Sequence, residues 1–254
     1  MPGLMLHCGS HSITRNNLAA LPVPEAMGPR HVVRPFAEDI ELVEHQLAEF
    51  GIGITDEAFG VASNGLRYFG VLEVAPLEGE WIGKDSGYGL TVGLRGSYDQ
   101  SISRGLAIGA KVFVCDNLSF SGEVAILSKQ TTNIGDRLPR LMRDAVAQIP
   151  QLAEHQHRRF EMYRNVELRP RAGDALIVEL LRRGVINTTQ VERVVREWDK
   201  PAHPEHAEQG YSLWRLHNAT SEALKPVNAE RFALPTVWSA TTKLTKFLDE
   251  VAGL

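Results

Sequence analysis

The side chains best suited to chemistry or recognition gather in the middle of the chain: Arg95, Asp99, Ser101, Arg104, Lys111, Asp116, Asn117, Ser119 and Lys129. Each falls on or just after a segment that reads as a β-strand. Cations and small polar groups on one sheet face could hold the phosphates or bases of a single strand. Arg95 and Lys111 share the non-core parity of their strands, which puts them on that face. The series lacks the interleaved aromatic rings on which bases usually stack. Asp99, Asp116 and Asn117 have a plainer role open to them as well, satisfying backbone groups in turns.

Other combinations carry weaker chemistry. Cys115 with Asp116 and any of the nine histidines could form a nucleophile and base, yet a cysteine at the end of an apolar strand reads better as a packed thiol. His155 with His157, and His203 with His206, have ligand-like spacing without the companion ligands of a zinc pattern. Arg158, Arg159, Arg164, Arg169 and Arg171 form the most basic stretch, diluted by Glu161 and Glu167. It could touch phosphate from a helix end, or be a solvated face. Gly-rich phosphate loops of the Walker or dinucleotide type do not occur. No metal and no cofactor are expected.

Several elements must position these residues. Residues 1–35 are punctuated by Pro22, Pro24, Pro29 and Pro35 and read as an irregular arm. Phe36, Ile40, Val43, Leu47 and Phe50 recur at helical steps, giving an amphipathic helix that ends at Gly51. Two apolar runs from Phe59 to Val74, joined at Asn64-Gly65, read as a β-hairpin. Leu90, Val92 and Leu94 alternate with Thr91, Gly93 and Arg95, and Ile108, Ala110 and Val112 alternate with Gly109, Lys111 and Phe113, as half-buried strands do. Gly122 to Leu127 adds a short strand. The centre should be a mainly antiparallel sheet of about five or six strands.

From Asp136 the period becomes helical, with Leu138, Leu141, Met142, Val146 and Ile149 on one stripe and Pro150 as a kink or break before a charged continuation to Arg164. Ala172 to Arg183 forms a helix closed by Gly184. Thr189 and Glu192 have capping-box spacing ahead of Val194, Val195 and Trp198. Leu213 to Leu224 and Val237 to Val251 complete the helices. Strands first and helices afterwards define an α+β fold, a mainly antiparallel central sheet preceded by one helix and followed by a helical C-terminal part. The expected division is an arm over 1–35, a helix with antiparallel sheet over 36–133, and a helical part over 134–254, packed on the sheet as a separate unit or as one continuous domain with it.

Composition sets the outer bounds. The chain has 254 residues, 43% hydrophobic and 23% charged, the balance of a folded protein. Two cysteines, Cys8 and Cys115, imply no disulfide framework. No stretch reads as a signal peptide or a membrane span, so the cytoplasm is the expected location. The net charge is −4, and the acid excess lies before residue 150, where 12 Lys and Arg face 17 Asp and Glu. That balance weighs against bulk DNA binding, which favours basic domains.

Three motifs resemble a phage/plasmid-like family catalogued as a domain of unknown function, number nine hundred thirty-two in that series. They are Tyr68-Phe69-Gly70-Val71-Leu72, the run from Val92 to Ser101, and the run from Val112 to Gly122 with its polar corner Cys115-Asp116-Asn117. The likeness continues through Arg159 to Arg164, Gly184 to Asn187, Glu197-Trp198, His203 to His206 and Trp214 to Ala219. Where the family has histidines this chain carries Tyr98 and Gln130, so no histidine role is carried over. The resemblance implies a protein of a phage or mobile element in a bacterial host. Together with the cations on strand faces, it leads us to expect a non-enzymatic nucleic-acid-handling protein that binds or anneals single-stranded DNA as a homo-oligomer. The alternatives are a protein-binding module that inhibits or redirects a host factor, and an enzyme using Cys115, Asp99 or Asp116.

Overall fold

A computed structural model describes residues 11–81, 87–112, 117–119, 125–208, 210–225 and 234–254. The fold is α+β. Among the described residues, a seven-stranded antiparallel sheet comprises β1 (His11–Ile13), β2 (Ile52–Ala62), β3 (Arg67–Pro76), β4 (Tyr88–Ser97), β5 (Arg104–Val112), β6 (Asn117–Ser119) and β7 (Ala125–Ser128). The first five strands lie side by side in chain order. Both β6 and β7 pair with the outer edge of β5, at Ala110–Val112 and Arg104–Ala107 respectively. The sheet is therefore six strand positions wide.

Within the stretch that reads as an irregular arm, His11–Ile13 pairs with Phe59–Val61 of β2, and Thr14 caps the short helix α1 (Arg15–Ala19). Neither element is long enough to leave a periodic signal in sequence. The helix α2 (Phe36–Glu49) buries Phe36, Ile40, Val43 and Leu47 as the spacing predicts, whereas Phe50 is 39% exposed. Phe50 is the C-cap of α2, where the chain turns away through Gly51 at φ 70°. The β2–β3 hairpin turns through Ser63, Asn64 and Gly65, all at positive φ, a wider left-handed turn than a two-residue Asn-Gly connection.

Among the described residues, seven helices follow: α3 (Ile134–Val146), α4 (Ile149–Asn165), α5 (Pro170–Arg182), α6 (Thr188–Asp199), α7 (Pro204–Glu208), α8 (Leu213–Leu224) and α9 (Leu234–Ala252). Pro150 stands in the first turn of α4, where its missing N–H costs nothing, so the break expected there separates α3 from α4. The cap of α6 is Asn187, not Thr189. Asn187 Oδ1 accepts from the N–H groups of Thr189 and Gln190 at 3.0 and 3.1 Å, and Gln190 Oε1 accepts from Asn187 N–H at 2.9 Å. Both spacings are three residues, and Asn187 wins because it has the extended backbone an N-cap needs.

Tyr68, Leu72, Val92, Leu94, Leu106 and Ile108 point from one sheet face into a core shared with α2, α3 and the start of α4. A second core joins Tyr88 and Ala110, at the far end of that face, to Phe160, Tyr163, Trp198, Trp214 and Phe247 of the helices. The helix α8 lies at its centre, with Leu213 to Ala223 almost wholly buried. Its buried polar side chains are held largely within the helix: Asn218, Thr220 and Ser221 donate to the carbonyls of Trp214, Leu216 and His217, at 2.9, 2.8 and 2.8 Å. Among the described residues, no helix is long and apolar enough to cross a membrane.

Candidate nucleic-acid interface

The β4–β5 register places Arg95 opposite Gly105 and Lys111 opposite Gly89. The two positions share the sheet face away from α2, as strand alternation implies. Lys111 lies six residue steps along β5 from Gly105, a distance of about 20 Å along the strand. Thr91, Gly93, Ala107 and Gly109 occupy the same face between them and are buried. The candidate residues thus fall at two ends of the sheet rather than along one open track. Arg95, Asp99, Ser101 and Lys129 sit at the β4–β5 turn; Lys111, Asn117 and Ser119 sit at the opposite end, where β6 pairs with β5.

The turn end is a connected polar cluster. Ser101 N–H donates to Asp99 Oδ1 at 3.0 Å, and Ser101 Oγ donates to the same oxygen. Arg67 Nε donates to Ser101 Oγ at 2.7 Å, and Arg67 Nη2 lies 3.4 Å from Asp99 Oδ2. Partial burial alone would raise the Asp99 carboxyl, but the Ser101 hydrogen bonds and the Arg67 charge hold it below the usual carboxylate range. Asp99 therefore does the work of a turn residue, beside Gln100 at φ 56°. Beneath the turn, Gln130 Nε2 donates to the Ser97 carbonyl, and Ser97 Oγ bridges the carbonyl and N–H of Ile102 at 3.0 and 3.2 Å.

Three cations stand at this end of the sheet, and Arg67 contacts the turn directly. Arg67 keeps 31% of its side chain exposed. Arg95 is partly buried, which lowers its guanidinium below its ordinary value. Lys129 is exposed and follows Leu127, the β7 residue opposite Gly105, by two positions. Sequence parity finds Arg95, but Arg67 becomes a member only once the β3–β4 register places it opposite Ser97.

Arg104 does not belong to any surface. It shares the parity of Leu106, Ile108 and Ala110 and points into the core, where it is fully buried. Its Nη1 donates to Asp39 Oδ2 of α2 and its Nη2 to the Arg34 carbonyl, while its guanidinium lies 5.4 Å from the centre of the Phe36 ring. Tyr68 O–H donates to the same Asp39 oxygen at 3.1 Å, and Phe36 N–H donates to Tyr98 Oη at 3.3 Å. Burial pushes the Asp39 carboxyl upward against the pull of Arg104. The alternation of β5 is the signal that could have assigned Arg104 to the core.

The remaining candidates disperse. Cys8, Cys115 and Asp116 lie outside the described residues. His157 Nδ1 bonds Tyr88 Oη at 2.7 Å, and the rings of His203 and His206 sit 5.8 Å apart. Among the described residues, no group of three or more His, Cys, Asp or Glu side chains could hold a metal ion. Within the basic stretch, Arg158 pairs with Glu154 at 2.8 Å and Arg164 with Glu161 at 2.6 Å along α4, while Arg159 reaches Asp249 of α9 at 2.9 Å. Arg164 also lies over the Tyr88 and Trp214 rings.

No family model, no curated protein and no solved structure matches this chain.

Proposed function

We propose that this chain is a non-enzymatic nucleic-acid-handling protein that binds or anneals single-stranded DNA as a homo-oligomer, with its phosphate contacts at the β4–β5 turn. One observation carries the reading: Arg67 is hydrogen-bonded to Ser101 of the turn, and the strand register puts Arg95 and Lys129 at the same end of the sheet. Phosphate contacts of this kind fix position and supply most of the affinity without reading sequence. The test is binding of fluorescent single- and double-stranded DNA across a salt series, with mass measurement of the assembly. Single-strand affinity that falls steeply with salt supports the reading, and no binding at low salt overturns it.

A protein-binding role is favoured by a different observation. Among the described residues β7 pairs only with β5, and its Leu127 is 49% exposed, so this edge suits addition of a partner strand. That role requires a stoichiometric host partner in a pull-down, lost when Ile126 is replaced by proline.

A further inference from the structure

We propose that a cleft between α4 and the end of α9, unrelated to the β4–β5 turn, is a binding site for a small oxyanion, a phosphate or a carboxylate. The cleft measures about 230 Å³ and is lined by His155, Arg158, Arg159, Asp249 and Leu254. The first three stand at i, i+3 and i+4 of α4, so one helix face presents an imidazole and two guanidinium groups to the same space.

Asp249, the one acidic side chain among the described residues that line the cleft, is already engaged. Both Asp249 oxygens accept from Arg159 Nε, at 2.9 and 3.2 Å, and Oδ1 also accepts from Tyr163 O–H at 2.6 Å. Arg159 is 9% exposed and is fixed further by Nη1 donating to Gln156 Oε1 at 3.0 Å. It is a preorganised cation in the floor. At the rim, Arg158 meets Glu154 at 2.8 Å, but their side chains are 62% and 70% exposed. Such an open pair contributes little, so Arg158 can exchange Glu154 for an arriving anion at small cost. Planar guanidinium groups take phosphate and carboxylate oxygens through paired hydrogen bonds, which gives the class of ligand.

Size narrows that class. Sites for drug-sized ligands begin at about 300 Å³. A cleft below that limit suits inorganic phosphate or a short organic acid better than a drug-sized ligand.

Calorimetric titration at constant ionic strength tests the site, using the full chain with inorganic phosphate in one arm and succinate in the other. The variant is His155→Gln with Arg158→Gln. Both residues are exposed, so the fold is retained, and Arg182→Gln on α5 is the control. Saturable binding of either anion, one per chain, should weaken by about tenfold in the double variant and be unchanged in the control, the size of effect expected from losing charge-assisted hydrogen bonds. The tighter arm identifies the oxyanion. Equal affinity in wild type and double variant, or no saturable binding of either anion, overturns the proposal. Replacing Arg67 and Lys129 must leave this binding untouched, which separates its failure from failure of the DNA reading.

Discussion

Arg104 of β5 and Asp39 of α2 form a fully buried ion pair that ties the first long helix to the sheet. Burying two charges stabilises a fold little by itself, but removing one partner strands the other in an apolar core. Arg104→Met should therefore lower stability by about 3–5 kcal/mol, a fall in Tm on the order of 10 °C. Combining it with Asp39→Leu should recover part of the loss. Thermal melts of the two variants check this, and equal destabilisation by both would show that the pair is not coupled.

Gly173 in α5 packs against Trp198 of α6 so closely that a Cβ there would overlap the indole ring. Helix propensity alone makes Gly173→Ala stabilising by about 1 kcal/mol. The packing predicts the opposite sign, a loss of about 1–3 kcal/mol as the fully buried Trp198 is displaced. Urea unfolding followed by tryptophan fluorescence distinguishes the two.

His206 and His217 give the fold an acid sensitivity. Burial, aided by His203, lowers His206 to about 4, and burial, aided by His206 and Arg159, lowers His217 to about 3, from an ordinary value of 6.5. Both bind protons less readily in the folded chain than in the unfolded one. Their contribution is complete above pH 6.5 and is lost as the pH falls toward 4 and 3, at up to about 1.4 kcal/mol per pH unit for each. Tm should drop between pH 7 and pH 5. His217→Gln should be less stable at neutral pH yet show a shallower decline, and an unchanged slope would remove His217 from the account.

The capping box at Asn187 should matter locally. Asn187→Ala removes the acceptor for two N–H groups of α6 and should cost about 1 kcal/mol, whereas Thr189→Ala should cost less. Denaturant midpoints of the two variants decide between the caps.

Much of the architecture was legible in sequence where periodicity is strong. The helical stripe from Phe36 to Leu47, the β2–β3 hairpin around Asn64-Gly65, and the helix from Leu213 to Leu224 all stand where the pattern puts them. The three residues of β1 and five of α1 were too short for a period to develop. The candidate site was legible only in part. Strand parity put Arg95 and Lys111 on one face, but their separation depends on register, which alternation does not encode. Arg104 was misplaced because a charged side chain reads as surface unless its core parity is weighed against its charge. Its partner Asp39 lies three residues from Phe36 on α2, a helical neighbour of the buried stripe.

The most direct test of the central claim is the salt dependence of single-stranded DNA binding in wild type and in Arg67→Ala with Lys129→Ala. Three phosphate contacts predict a slope of about −2 in log affinity against log salt, reduced in magnitude by about 1.4 in the double variant. Absence of salt-dependent binding, or the same slope in both proteins, would contradict a phosphate-binding role for the β4–β5 turn.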